Sequence, residues 1–510
     1  MACYLGIDAG TQSMKGVLID PERNFCSDPV SVRFGEELPQ YGSPEGFLVQ
    51  EDPLVRHADP LMWLDALDLL LKKMHSSGLP MGEVEGISGS GQQHGTVYWN
   101  ASCHEVLASL APEKTLAEQI RPALSRKTSP IWMDGSTGKE CAFLRERFGA
   151  SLREITGSDS AERFSGPQIM KFAAKEKACY NNTCSISLVS SFLASVLAGK
   201  IMPVDYGDGA GMNLLDLRTL RWNEEIAEFT APGLLKKLPA CVPSRTVCGK
   251  LSPYFAKYGL RPGIPLNVWS GDNPDSLIGC GCGAHGSAII SLGTSDTFFS
   301  SIASLEDVQG RYGHIFGNPA GGFMTLVCFT NGSLTREAIR EKFAMSREEF
   351  EAAAAEAEPG KITLLPYLFP ESTPAVARPG IRCDRNLDSL TPPELIRGVL
   401  EAQILTMKYH SGMKKKPRLI RLTGGASASP LLRRLAADIF QTPVAVGGHG
   451  ETAALGAAMR AAESCGNVSF ELLTEKYCSP AETIRPDEST AEVYERALRN
   501  FAELIRRELS

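Results

Sequence analysis

An apolar strand, a Gly-Thr turn with small hydroxyls and a second apolar strand occur twice in this chain. The first copy runs through Tyr4-Leu5-Gly6-Ile7 into Asp8-Ala9-Gly10-Thr11-Gln12-Ser13 and leaves over residues 14–19. The second occupies 288–292, breaks at Gly293-Thr294 and resumes over 297–299. Apolar runs of this length around a Gly turn predict buried strands meeting in hairpins. Such a turn carries backbone N–H groups and hydroxyls at its tip, the donors an anionic phosphate needs, and Lys15 stands beside the first. Either copy alone is equally what an ordinary hairpin looks like. Two of them, each opening one half of the chain, favour a nucleotide bound between two related domains.

The length of 510 residues exceeds the size at which one core stops growing, so two domains are expected, 1–283 and 284–510. Hydrophobic content of 43% and charged content of 22% are those of a globular protein, and a net charge of −7 argues against a nucleic-acid surface. The apolar segment 186–199 is too short to span a bilayer, and the N-terminus reads as a strand rather than a signal peptide. The 14 cysteines are dispersed with no Cys-x-x-Cys pair, and Cys280 and Cys282 are spaced poorly for zinc. All read as reduced and mostly buried, which implies the cytoplasm.

Strands and helices alternate throughout, so the class is α/β. Strands are expected at 3–8, 14–19 and 25–32, an amphipathic helix at 61–74 and a strand at 84–88. That strand breaks at Gly89-Ser90-Gly91-Gln92-Gln93-His94-Gly95, and polar side chains at a strand end beside glycines are common at ligand sites. Ile131-Trp132-Met133-Asp134 repeats the arrangement, although Asp134 also reads as a helix-cap neighbour. Arg163, in Glu162-Arg163-Phe164-Ser165-Gly166, is by itself an ordinary surface cation. Residues 186–199 read as one helix. The loop 205–211, dense in carboxylates and glycine, could hold a metal or simply turn the chain. In Gly271-Asp272-Asn273-Pro274, Asn can cap a helix and Pro suits its first position. A third Gly-rich strand-to-helix junction, Thr423-Gly424-Gly425-Ala426-Ser427, lets backbone approach a ligand with no Cβ in the way.

These motifs together resemble those of the FGGY-type carbohydrate kinases, members of the actin-like ATPase superfamily, over residues 4 to about 462. DAGTQSMKG resembles the family's first phosphate motif, SLGTSDT its second, and LTGGASASPLL its adenosine motif. GISGSGQQHGTVYW resembles the sugar-side signature of the branch that phosphorylates xylulose; SPIWMDGST, ERFSG, VDYGDGAGMNLL and SGDNP resemble other parts of that pattern. The resemblance implies two actin-like, ribonuclease H-like domains with an interdomain cleft, the sugar on the N-terminal side and adenosine on the C-terminal side.

It further implies ATP-dependent phosphorylation of D-xylulose at its 5-hydroxyl, with ATP and Mg²⁺ as cofactors. Another pentulose or polyol, such as ribulose or ribitol, is the alternative, and an actin-like nucleotide switch a more distant one. Asp272 would be the general base. Gln93, His94, Asp134, Arg163, Asp272 and Asn273 would hold the sugar. Asp8, through water, would position Mg²⁺. Thr11, Ser13, Lys15 and Thr294 would face the phosphates, and Gly424, Gly425 and Ala428 would lie along the adenosine. The partner expected is a small sugar, with neither nucleic acid nor membrane, in a cytoplasmic protein that, by analogy, could be a homodimer. Two departures stand out. Met133 replaces a polar residue common in bacterial relatives, and Phe369-Pro370-Glu371-Ser372 replaces a Gly-Glu-Arg pattern near the nucleotide rim.

Overall fold

The computed structural model describes residues 2–309, 313–448 and 450–509. The chain forms two compact units: Met1–Gly283 with Ile315–Gly321 and His449–Cys478, and Ala284–His314 with Gly322–Gly448 and Ser479–Ser510. A boundary thus falls at 283/284, while two later segments return to the first unit.

The first unit is built on an eight-stranded sheet. Its strands are β1 (Cys3–Ala9), β2 (Ser13–Asp20), β3 (Phe25–Cys26), β4 (Val30–Arg33), β5 (Val84–Gly91), β6 (Val247–Lys250), β7 (Pro265–Asn267) and β8 (Ser270–Gly271). They lie in the order β6-β7-β5-β1-β2-β3, with β4 on β2 and β8 on β5. β1 and β2 form the expected hairpin, with Asp8 opposite Lys15, and β5 runs parallel to β1. The third expected strand is two short ones, because Asp28-Pro29 interrupts it and proline has no ladder donor. The helix Pro60–Ser76, capped by the Asp59 carboxylate, buries Leu, Met and Trp side chains in the main core of this unit.

On the other face lies the helix Thr452–Gly466, whose alanines pack with Tyr4, Val17 and Ile19. Small residues let the backbones nearly touch. A Cβ at Gly6 would sit 2.1 Å from the Ala454 carbonyl oxygen. The helix Asp272–Gly279 crosses the same helix so closely that a Cβ at Gly279 would lie 1.9 Å from the Thr452 oxygen. A Cβ at Gly456 would lie 1.9 Å from the Asp275 oxygen.

The second unit repeats the plan with β9 (Ser287–Leu292), β10 (Asp296–Ile302), β11 (Phe323–Phe329), β12 (Leu419–Thr423), β13 (Val444–Val446) and β14 (Glu482–Ile484), in the order β11-β10-β9-β12-β13-β14. β9 and β10 are the second hairpin, β12 runs parallel to β9, and β13 parallel to β12. Helices Pro392–His410 and Pro430–Phe440 supply much of its core. The same succession holds in both sheets: third strand, second, first, two parallel strands, then an antiparallel one. This is the α/β, ribonuclease H-like arrangement expected.

Local expectations fail where tertiary pairing overrides periodicity. Residues 186–199 are not one helix: Ser185–Leu188 is a strand paired antiparallel with Thr96–Trp99, and the helix runs only from Val189 to Ala198. The Gly-Asp-Asn-Pro helix starts at Asp272 with Gly271 as its cap, so Asn273 and Pro274 lie within the first turn. The carboxylate loop is chiefly a short helix, Tyr206–Ala210, capped by Asp205, whose Oδ1 accepts from the Asp208 N–H at 2.8 Å.

The Gly279–Gly456 crossing predicts an asymmetric response to a single methyl. Gly456→Ala drives a Cβ into backbone, which cannot swing aside, and should cost about 1–3 kcal/mol in urea unfolding. Gly138→Ala, where a Cβ meets nothing within 4 Å, should leave the midpoint unchanged or raised. Equal midpoints for the two variants would show that the helices can separate freely.

Candidate active site

In the first unit three adjacent parallel strands end side by side, the usual place for a ligand in such sheets. Asp8 is the penultimate residue of β1, Gln92-Gln93-His94 follow β5, and Asp272-Asn273 follow β8. Ser90 lies opposite Asp8 in register and Gly271 opposite Gly91. Gly271 is required there, since a Cβ would lie 2.4 Å from the Gln93 Cγ.

Asp8 accepts a hydrogen bond from the Ser90 hydroxyl at 2.6 Å. Burial pushes its carboxyl up to about 6, against the pull of Ser90 and Lys15. The β1–β2 turn closes through Gly10 N–H donating to the Ser13 carbonyl at 3.0 Å, and Gln92 N–H donates to the Ala9 carbonyl at 2.8 Å. Trp132 Nε1 donates to the Thr11 hydroxyl at 2.8 Å, which joins the Trp-Met-Asp loop to the same turn. Ser13 and Lys15 line a cavity of about 440 Å³ with Gln12, Arg33 and Glu451. Lys15 is paired there with Glu451 at 2.5 Å.

Asp272 sits at the first position of its helix. Its Oδ1 accepts from Asn273 N–H at 2.8 Å and from Asn273 Nδ2 at 3.0 Å. Burial and the nearby Asp8 charge raise its carboxyl to about 7, although N–H groups of Asn273 and Gln93 pull it down. A carboxyl poised there can accept a proton near neutrality. Behind it, buried Arg460 donates to Asp275 at 2.9 Å and to the Ser244 and Val268 carbonyls, fixing the Asp272 helix to the sheet.

Gln93 accepts from Asn273 Nδ2 at 2.8 Å, but its own Nε2, like that of Gln92, is buried with no acceptor among the described residues. Leaving a buried donor unmade costs about 1–3 kcal/mol, so these two amides call for acceptor oxygens from outside the chain. His94 adopts φ +73°, and its Nδ1 lies 2.8 Å from the Gly211 carbonyl. Burial, with Arg163 nearby, lowers its pKa to about 3, so the ring is neutral. With Nδ1–H donating to a carbonyl, Nε2 is the acceptor. Its ring packs 4.6 Å from that of Phe164, over which the Arg163 guanidinium lies at 5.6 Å.

Asp134 stands apart from this pattern because both its oxygens accept from the chain itself. Oδ2 accepts from Arg56 N–H at 2.9 Å and lies 3.5 Å from His57 Nε2. Oδ1 accepts from Ser136 N–H at 2.9 Å, the Ser136 hydroxyl and Gln168 Nε2 at 2.8 Å. The carboxylate is the hub of its own loop.

In the second unit the Gly293-Thr294 turn is braced from beneath. Arg336 reaches buried Asp296 through two nitrogens, at 2.8 and 3.0 Å, and donates to Gln403 at 3.0 Å. Gly424, at φ +84°, lies against β9, where a Cβ would meet the Leu292 oxygen at 2.4 Å. Beside these turns opens a cavity of about 680 Å³ lined by Thr294, Gly425, Ala428, Glu337, Arg340 and Phe350 among others. Its size and mixed walls suit a nucleoside. Thr294, Gly425 and Ala428 thus line one cavity, and Gly424 abuts Leu292, which lines it too. At 369–372, Glu371 turns inward and accepts from the Thr330 and Asn331 N–H groups at 2.6 and 3.0 Å. That departure is a brace for the end of β11.

Sequence reasoning missed Glu451, Trp132, Ser90, Arg336 and Arg340. Glu451 carries a local signal, as an acid shortly after Gly447-Gly448. The others depend on contacts between residues far apart in the chain.

The N-terminal domain of the FGGY family of carbohydrate kinases matches residues 3–279, and the C-terminal domain of that family matches 288–465. A xylulose kinase of Rattus norvegicus is 38% identical over 530 aligned residues, covering 100% of this chain and 97% of its own. Xylulose kinase 2 of Arabidopsis thaliana is 38% identical, over 90% of this chain and 86% of its own. The crystal structure of a xylulose kinase from Rhodospirillum rubrum superposes with a TM-score of 0.82 at 20% identity, covering 99% of this chain and 98% of that one.

Proposed function

The chain belongs to the FGGY family of carbohydrate kinases, and from that premise we propose that it transfers the γ-phosphoryl group of ATP to the 5-hydroxyl of D-xylulose. The observation that carries the reading is Asp272, a carboxyl raised to about 7 beside two buried amides with no acceptor among the described residues. The likeness to xylulose kinases at 38% identity supports the choice of sugar. Fourteen cysteines, all free thiols, support a reducing, cytoplasmic setting.

Phosphoryl transfer asks a protein mainly for alignment and charge neutralisation. In this reading Gln93 and Asn273 present amide groups to the ketose, His94 Nε2 accepts from a hydroxyl, and Arg163 donates to the sugar oxygens. Asp272 takes the proton from the attacking hydroxyl. Asp134 orders the loop that carries Trp132 and, with acceptor capacity left on Oδ2, takes a hydrogen bond from a sugar hydroxyl. Thr11, Ser13 and Lys15 in the first unit, and Thr294 in the second, serve the phosphates. The cavity over Gly424, Gly425 and Ala428 takes the adenosine. Asp8 and Glu451 are hard oxygen ligands of the kind Mg²⁺ prefers, and Asp8 would hold that ion through water. Bound there, Mg²⁺ would offset charge on the phosphate oxygens.

Three measurements test this. ADP release, assayed across D-xylulose, ribuloses, ribitol, xylitol and glycerol with a no-sugar control, should give the highest kcat/KM for D-xylulose. Faster turnover of another acceptor would reassign the substrate, and sugar-independent release would argue for a nucleotide switch. Asp272→Asn should retain sugar and ATP binding while kcat falls by roughly 10²–10⁴-fold; wild-type turnover would remove it as the base. His94→Ala should raise KM for the ketose far more than KM for ATP, and equal effects would detach this loop from the sugar.

A further inference from the structure

Cys103, His104 and Cys184 form, among the described residues, a group whose ligand atoms all lie within 4.8 Å of one another. The two sulfurs are 3.8 Å apart. A disulfide needs about 2.05 Å, so they are not bonded. Two thiolates on a tetrahedral zinc, each about 2.3 Å from the metal, stand about 3.8 Å apart. The spacing is therefore that of a metal pair before the metal arrives.

The backbone around the pair is fixed from both sides. Asn100 Oδ1 accepts from Ser102 N–H at 3.0 Å and from its hydroxyl at 2.7 Å, setting the turn into Cys103. Cys184 N–H donates to the Trp99 carbonyl at 2.7 Å, and Ser125 and Thr183 hydroxyls meet at 2.7 Å. Cys103 is buried, Cys184 half-buried and His104 exposed, so an ion has a route in from solvent. We propose that Cys103, His104 and Cys184 bind one soft divalent cation, Zn²⁺ being the natural occupant, with a fourth position left to water.

Binding forms two metal–sulfur bonds and one metal–nitrogen bond, and the two thiol protons leave to solvent. No oxidant is involved. The site lies at one end of the two-stranded ribbon Thr96–Trp99 and Ser185–Leu188. At the ribbon's other end Val189 N–H donates to the Gly95 carbonyl at 3.2 Å, next to His94. The metal would staple the far end of the ribbon that carries the sugar loop.

The test is titration of the reduced full-length protein with Co²⁺ and then Zn²⁺. About one Co²⁺ per chain should bind with a thiolate-to-cobalt charge-transfer band and the visible bands of a tetrahedral field, and Zn²⁺ should bleach both. Cys184→Ser should abolish the bands, Cys383→Ser should keep them, and His104→Ala, a surface change that spares folding, should weaken binding at least about tenfold. Zn²⁺ should raise the thermal midpoint of the wild type and not of Cys184→Ser. Absent bands in the wild type, bands unchanged in both ligand variants, or a Cys103–Cys184 disulfide in protein whose thiols were blocked at lysis would each overturn the proposal.

Discussion

Everything chemical in the first unit rests on a helix crossing with no room for a methyl group. Gly279 and Gly456 bring the Asp272–Gly279 helix and the Thr452–Gly466 helix into backbone contact. Through that contact Arg460 reaches Asp275, in the turn directly after Asp272. Buried charge pairs contribute little net stability on average, because desolvation offsets attraction, but removing one partner strands the other. Their value here is positional: the arginine spans one carboxylate and two main-chain carbonyls, which ties the start of the helix to the sheet.

The same neighbourhood concentrates negative charge. Asp8, Asp205, Asp208, Asp272 and Asp275 lie near one another with Arg460 as the buried counter-charge, and Asp208 is pushed well above the usual carboxylate range by burial and by its neighbours. At Asp272 burial acts first and the charge of Asp8 adds to it. The raised basicity of that carboxyl is thus a property of its surroundings. Lys15 and Glu451 balance each other at the edge of the cluster.

Much of this was legible in the sequence because its signals are local. A Gly-Thr turn between two apolar runs encodes a hairpin through period and turn chemistry alone, and both hairpins form. The helix expected at 61–74 likewise falls within Pro60–Ser76, and the strand expected at 84–88 within Val84–Gly91. The misreadings have a common cause. Ile186 to Leu188 could be helix or strand by pattern, and only pairing with Thr96–Trp99 decides. The donors to Asp134 from Arg56 and Gln168 were likewise unannounced by anything nearby in sequence. Trp132 on Thr11 and Arg336 on Asp296 are contacts of the fold, without a motif to mark them.

The return of residues 449–478 to the first unit bears on how the chain is made. On the ribosome the N-terminal sheet emerges early, yet one face stays uncovered and Asp275 lacks its arginine until position 460 has been synthesised. Domains ordinarily fold as they appear. This one cannot complete its packing until nearly the whole polypeptide has been made, because the helix that covers Tyr4, Val17 and Ile19 comes so late in the chain.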